Sequence, residues 1–313
     1  MFVDLLNISL IAGKGGDGSS SLKRLPKRKF LNDGGDGGKG GDITLKADNN
    51  IFDLSFLKIK HTFRSENGFC GGSNNCTGKD AEDSVLKLPL GTRVVDKNKH
   101  LIVDLVNKDQ ELLICRGGIG GLGNFKREES TPGFPGEERD VIFDLRLMAD
   151  VGVVGFTNTG KSSFLSKVSN VKDKVSEFPF FTKSPFLASV KASKVFTIME
   201  LPAIISKNQH KAIFGERFIK HLLRTKLVLI FLDATSDIDQ DYKYILSVLE
   251  EYKAEYFQDQ FILPVINKID LNPEAKLEGI FHKTISSLNG QGVDELLSFC
   301  ETKCYEQKKD DSC

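Results

Sequence analysis

The chain has 313 residues, with 43 basic side chains balanced by 43 acidic ones. That length leaves room for two domains with cores of their own, and the balance excludes a global field that would by itself gather nucleic acid. The longest strongly apolar run, residues 227–232, is far too short to cross a bilayer, so no transmembrane segment is expected.

From Phe2 the chain alternates apolar and polar residues and carries Asp4, which reads as a strand. This opening resembles neither a secretory signal nor an Arg-rich transit extension. Cys70, Cys76, Cys115, Cys300, Cys304 and Cys313 lack C-x-x-C spacing and nearby histidines. They read as free thiols of a reducing compartment rather than a metal site. An intracellular protein is expected.

Glycine divides the chain. Of its 29 glycines, 22 lie before residue 137, in clusters such as 34–41 and 117–123. Short alternating runs at 42–47, 84–90, 101–106 and 111–115 separate them and read as β-strands. Such clusters suit a linker, or extended polyproline-like chains lying side by side with no Cβ between their backbones. The intervening strands and the scarcity of serine favour the ordered arrangement. Lys23, Arg24, Lys27, Arg28 and Lys29 form a basic cluster beside these loops, fitting either a solvated face or a contact with RNA phosphates. Arg64, Lys126 and Arg127 are further candidates. Gly118 to Gly123 formally fits G-x-G-x-x-G, but the next thirteen residues hold two prolines and no apolar helical face. Without a helix to follow, it is no dinucleotide site.

After the turn-rich stretch 131–136 the pattern changes. Apolar runs at 150–154, 195–199, 227–232 and 261–266 have the continuous character of parallel strands buried on both faces. Residues 216–223 and 242–256 show helical spacing, the latter with Tyr242, Ile245, Leu249 and Tyr252 on one face. A doubly wound α/β domain is expected, with ligands at the carboxyl ends of its strands. The expected division is a glycine-rich domain at 1–147, a second domain at 148–305 and a polar tail at 306–313.

Two motifs carry the chemistry. Residues 155–162 read GFTNTGKS, which fits G-x-x-x-x-G-K-[ST] between an apolar run and a segment able to open a helix. Backbone N–H groups of such a loop cradle phosphates, and the helix dipole adds to the anion site. Lys161 should reach the terminal phosphates and the Ser162 hydroxyl should bind Mg²⁺. A hundred positions on, Asn267-Lys268-Ile269-Asp270 supplies base choice. A carboxylate at Asp270 accepts two hydrogen bonds from guanine in a pattern adenine cannot donate. Together they indicate a site for GTP and GDP.

With these features the chain resembles the Obg family of GTPases along nearly its whole length. The segments MFVDLLNISLIAGKGGDG, GGDGGKGGDI, GGIGGLGN, PGFPGEER and LMADVGVVGFTNTGKSS carry the resemblance. It implies a first domain of packed polyproline-like helices on a small β-barrel, inserting among ribosomal RNA helices, and a second, Ras-like GTPase domain. The implied role is maturation of the large ribosomal subunit, as a monomer off the ribosome. Gly155, Asn158, Thr159, Gly160, Lys161, Ser162 and Ser163 match the phosphate loop, Asn158 standing where relatives hold K⁺. Thr182 matches the threonine that binds Mg²⁺ when the γ-phosphate is present, and Phe181 replaces its neighbour. Asn267, Lys268 and Asp270 match the guanine string. Ser286, Ser287 and Leu288 match the segment beside the base, Ser287 replacing an alanine.

The chain departs from the family at Glu200-Leu201-Pro202-Ala203, where relatives have Asp-x-Pro-Gly. Glu200 keeps the charge that holds Mg²⁺ but reaches one methylene further. Ala203 keeps the N–H that faces the γ-phosphate but lacks glycine's freedom at positive φ. Ile204 occupies the position where this family has a hydrophobic residue in place of a water-orienting glutamine. Two readings stay open, a slow GTPase and a hydrolysis-deficient, nucleotide-gated assembly scaffold; a generic ATPase is disfavoured by Asp270. The expected compartment is the mitochondrion, from the GKSS loop and the short C-terminus, with a bacterial cytoplasm as the alternative.

Overall fold

The computed structural model describes residues 2–26, 29–169, 184–203, 218–251 and 260–306. Contacts divide the chain into two compact units, Met1–Leu145 and Arg146–Cys313.

In the first unit, β1 (Leu5–Ile11) pairs antiparallel with β10 (Glu138–Leu145), its last strand, and parallel with β5 (Thr62–Arg64). With β7 (Thr92–Asp96) and β8 (Leu101–Leu105) they make a five-stranded sheet of order β5-β1-β10-β7-β8. A second sheet places β4 (Ile43–Asp48) between β6 (Ser84–Pro89) and β9 (Glu111–Cys115). The strands of the expected barrel are thus divided between these two sheets. Alternation does the sorting: Ile8, Leu10, Ile43, Leu45, Ala47, Phe143 and Leu145 are buried, while their neighbours within the strands are partly exposed. The short hairpin of β2 (Leu22–Arg24) and β3 (Phe30–Asn32) exposes Leu22, Phe30 and Leu31.

The glycine clusters are ordered. Gly13, Gly16 and Ser19 donate their N–H groups to the carbonyls of Gly41, Gly38 and Gly35 at 2.8–3.0 Å. Gly118, Gly121 and Asn124 donate in turn to Gly13, Gly16 and Ser19. Gly37 and Gly40 close the triangle by donating to Gly121 and Gly118. A donor at every third residue is the period of the polyproline helix, which has no internal hydrogen bonds and must satisfy its backbone through neighbours. Residues 66–72, 76–81 and 131–134 join the array by the same pattern. Backbones this close exclude side chains at the contact: a Cβ on Gly120 would lie 1.9 Å from the carbonyl oxygen of Gly37. Other N–H groups are met by carboxylates, Gly117 by Asp42 at 2.7 Å, Gly123 by Asp36 at 2.7 Å and Gly133 by Asp17 at 2.8 Å. The aspartates within the glycine clusters are thus part of the scaffold. The G-x-G-x-x-G string lies inside this array and opens no helix.

The second unit is built on a six-stranded sheet of order β12-β13-β11-β14-β15-β16. Its strands are β11 (Val151–Gly155), β12 (Phe186–Lys191), β13 (Val195–Glu200), β14 (Leu227–Asp233), β15 (Phe261–Asn267) and β16 (Lys283–Thr284). The four apolar runs form the parallel centre, and β12 pairs antiparallel to β13. Helices α1 (Lys161–Val168), α2 (Ile238–Glu251) and α3 (Val293–Glu306) supply the covering layers. Phe164 and Leu165 of α1 and Leu296, Cys300 and Cys304 of α3 share a buried cluster with Val153, Leu229, Phe231 and Val265 of the sheet. In α2 the buried stripe is Ile245, Val248 and Leu249, with Tyr242 half-buried and Tyr252 outside the described residues. Of the helical expectation at 216–223, residues 216 and 217 lie outside the described residues, and the rest is corrected in type: Ile219–Arg224 is a 3-10 helix. The N–H groups of His221 and Thr225 bond three residues back, and the Gln260 side chain takes the carbonyls of Leu222 and Leu223. No helix is long and apolar enough to cross a membrane among the described residues.

Candidate functional site

Strands β11, β13, β14 and β15 run parallel, so their carboxyl ends share one rim of the sheet. The loop after β11 turns through Asn158 at φ 61° and Gly160 at φ 87°, then enters α1. Gly160 is required twice over, by its left-handed backbone and because a Cβ there would meet Asn267 Nδ2 at 2.1 Å. The first N–H groups of α1 have no acceptor within the helix, and an anion at this helix start would satisfy them.

Lys161 is buried, its Nζ donating to the carbonyls of Gly155 at 3.1 Å and Phe156 at 2.6 Å. Burial pushes its ammonium down to about 8, opposed by the Glu200 charge. The Ser162 hydroxyl donates to Glu200 Oε1 at 2.5 Å. Glu200 ends β13, is itself buried, and is pushed upward by that burial against the pull of Ser162 and Lys161. A cation and a carboxylate are both held short of solvation at one point of the rim. Such a pair is suited to a polyphosphate on one side and a hard cation on the other.

The second motif meets the first through Asn267. Its Nδ2 donates to the Thr159 carbonyl at 2.8 Å, and its Oδ1 accepts from the Ser287 N–H at 2.9 Å and hydroxyl at 3.0 Å. Ser286 donates its hydroxyl to Asp270, whose residue is otherwise exposed. Lys268 sits at φ 66°. Phosphate loop, guanine string and the 286–287 segment are therefore tied together. Asn158 and Ser163 are exposed at the loop, Leu288 is exposed, and its carbonyl accepts from Lys167 at 2.9 Å.

Other candidates stand apart. Thr182, Phe181 and Ile204 lie outside the described residues, as do Lys27 and Arg28. Ala203 is half-buried three residues beyond β13. Lys23 and Arg24 lie on β2 of the first unit with Lys29 just before β3, all exposed. Arg127 donates to Asp36 and to the Gly123 carbonyl.

Two features went unread in the sequence. Asp233, at the end of β14, pairs with Lys268 at 2.5 Å. Its place at a strand's carboxyl end was the available signal. Phe156, inside the phosphate loop, stacks on Tyr244 of α2 with ring centroids 5.6 Å apart and planes 20° apart, a contact no sequence spacing announces.

A GTP1/OBG family model matches residues 3–147, and a model described as a 50S ribosome-binding GTPase matches residues 150–268. Among solved structures, the cytosolic domain of the T. maritima FeoB iron transporter is 20% identical at a TM-score of 0.40. That match covers 50% of this chain and 64% of the other, so this chain spans less than two thirds of its length. The putative nucleolar GTP-binding protein 1 of Plasmodium falciparum is 16% identical at 0.39, covering 53% and 91%. The FeoB G domain alone is 19% identical at 0.37, covering 50% and 99%. With one model spanning the glycine array and its sheets and the other running from β11 to Lys268, the chain belongs to the Obg family of GTPases.

Proposed function

We propose that this chain is a slow GTPase that acts in maturation of the large ribosomal subunit, its first unit contacting ribosomal RNA. The observation that carries the guanine-nucleotide reading is the double engagement of Asn267 with Thr159 and Ser287, which makes phosphate loop and base string one site. In this reading the N–H groups of residues 158–163 cradle the phosphates, Lys161 leaves its two carbonyls for the terminal phosphates, and Asp270 accepts the guanine edge. Ser162 and Glu200 offer two adjacent oxygens, a donor set that fits Mg²⁺, and Thr182 is the third expected ligand. When bound, the ion neutralises charge between the outer phosphates. Asn158 at the mouth of the loop is the expected holder of K⁺. The exposed Lys23, Arg24 and Lys29 beside Leu22, Phe30 and Leu31 support RNA contact through phosphates. A mitochondrial compartment is a separate proposal, supported by the GKSS loop alone.

Sedimentation with large subunits under GTP and under GDP tests the role, and the GTP form is expected to travel with the particle. Indifference to nucleotide, or no association at moderate salt, refutes it. A second reading, a hydrolysis-deficient scaffold gated by nucleotide, is favoured by Ala203 and Glu200 in the altered switch. Single-turnover hydrolysis with Mg²⁺ and K⁺ separates the two. Restoring Asp and Gly together raises turnover at least tenfold, about 1.4 kcal/mol, if those residues limit catalysis. Hydrolysis by the unmodified chain that restoration does not speed removes the scaffold reading.

A further inference from the structure

Asp233 closes β14 directly opposite Asn267. The strand ends are strapped together there: the Ala234 N–H donates to the Asn267 carbonyl at 2.9 Å, and Asn272 Nδ2 donates to the Ala234 carbonyl at 3.0 Å. The carboxylate is fully engaged. Its Oδ1 accepts from the Thr235 N–H at 2.9 Å and hydroxyl at 2.7 Å, and its Oδ2 takes the Lys268 ammonium at 2.5 Å. Lys268 is also placed by a tight turn, with its φ at 66° and its carbonyl accepting from Leu271 at 2.9 Å.

A second carboxylate lies within that lysine's reach. Asp270 is two residues on in the same turn, no more than about 7 Å away along the backbone, and it accepts from the Ser286 hydroxyl. An ammonium on a flexible four-carbon stem pairs with whichever carboxylate is available. If Lys268 paired with Asp270, it would occupy the oxygens that the guanine edge needs. The carboxylate held at the end of β14 prevents this by being closer and fixed on a strand.

We propose that Asp233 is a positioning residue for guanine recognition, holding the Lys268 ammonium away from Asp270 so that Asp270 remains open to the base. The inference rests on the reading of Asp270 as the guanine acceptor. It also accounts for a partly buried ion pair at a ligand-facing rim, where a pair serving stability alone contributes little.

The test is equilibrium binding of GDP and IDP to the full chain. IDP lacks the 2-amino group but shares ribose and phosphates, so the ratio of the two affinities reports how fully Asp270 is engaged. Asp233→Asn, which keeps an acceptor for Thr235, is expected to weaken GDP about tenfold, the loss of one charged hydrogen bond, and to weaken IDP less, shrinking the ratio. Asp233→Glu keeps the charge and is expected to keep the ratio. In a Lys268→Met background, Asp233→Asn is expected to leave the ratio unchanged, because no ammonium remains to compete. An equal loss for GDP and IDP, an equal loss in the Asn and Glu variants, a loss that persists in the Lys268→Met background, or no change at all each overturns the proposal. Asp270→Asn is the separate arm: a GDP-to-IDP ratio untouched by it refutes the guanine-pocket reading itself.

Discussion

Placing a methyl group on Gly120 should damage the first unit far more than placing one on Gly72, although both are glycines of the same array. A Cβ on Gly120 would sit 1.9 Å from the Gly37 carbonyl oxygen and 2.4 Å from its carbon, both backbone atoms. Relief to ordinary contact near 3.4 Å needs a shift of about 1.5 Å between two chains. The two nearest bonds, Gly37 to Gly121 at 2.7 Å and Gly121 to Gly16 at 2.8 Å, cannot follow such a shift intact. Overpacking costs about 1–3 kcal/mol, and two lost hydrogen bonds add about 0.5–1.5 kcal/mol each. Gly120→Ala should therefore cost about 2–6 kcal/mol, a large share of the roughly 5–15 kcal/mol that holds a domain together. At Gly72 the nearest atoms are Cys76 Cβ at 3.4 Å and its carbonyl oxygen at 3.7 Å, ordinary contacts. Gly72→Ala should lie within about 1 kcal/mol of the parent, on either side. Urea unfolding of both variants, followed by circular dichroism, measures the difference. Equal midpoints for the two, or a Gly120→Ala cost below about 1 kcal/mol, would refute the steric account of the glycine clusters.

Replacing Asp270 with Asn should weaken GDP and raise affinity for xanthosine diphosphate, whose edge offers an acceptor where guanine offers a donor; each charged hydrogen bond at stake is worth about 1.5–3 kcal/mol, and unchanged GDP binding in a titration removes Asp270 from the pocket. Lys161→Ala should abolish tight nucleotide binding while leaving the strand signal of the first unit intact, checked by calorimetry with circular dichroism; loss of all structure contradicts the two separate cores. Acid should loosen the glycine array first. Asp17 is held below 3.8 by the Lys14 hydrogen bond and the Gly133 N–H, and Asp42 is held low because Lys39, the Gly117 N–H and Arg116 outweigh its burial. A lowered carboxylate stabilises fully above its ordinary value and loses that contribution as pH falls through the folded one. Stability of the first unit should thus be flat from pH 5 to 8 and fall from about pH 4 downward, and Asp42→Asn should flatten that fall.

The second unit was the more legible half. Continuous apolar runs at 227–232 and 261–266 translate directly into β14 and β15, each ending one residue later, because a strand buried on both faces has little other composition open to it. The phosphate loop could be placed to the residue because its glycines and lysine serve backbone geometry. The array in the first unit was visible as composition, but its construction was not: the three-residue register links segments a hundred positions apart, and only the folded chain aligns Gly13 with Gly41 and Gly118. The three-residue strands β2, β3 and β5 are too short for any period to show. Ile219–Arg224 misled because 3-10 and α segments share apolar spacing over so few residues, and the side chain that decided it, Gln260, arrives from beyond β14. Asp233 and Tyr244 were missed since their partners lie far away in sequence.

The two departures in the altered switch do not weigh equally. Glu200 stands on β13 opposite Val153 and Phe186, and its carboxylate still meets the Ser162 hydroxyl, so the extra methylene is absorbed without moving the charge from the site. Ala203 would be the more costly change under the proposed function. There its N–H would have to face the γ-phosphate, in a turn that glycine adopts freely. An alanine forced to positive φ costs roughly 1–2 kcal/mol, whereas a donor never presented costs about 2.7–4 kcal/mol in the transition state. The recovery on Ala203→Gly alone therefore reads which occurs: about five- to thirtyfold for a strained but working donor, and a hundredfold or more for an absent one. Glu200→Asp alone should alter the Mg²⁺ concentration needed for half-maximal turnover more than the turnover itself. The reverse pattern, with Glu200→Asp restoring the rate and Ala203→Gly doing nothing, would place the defect in the cation site and sink this assignment.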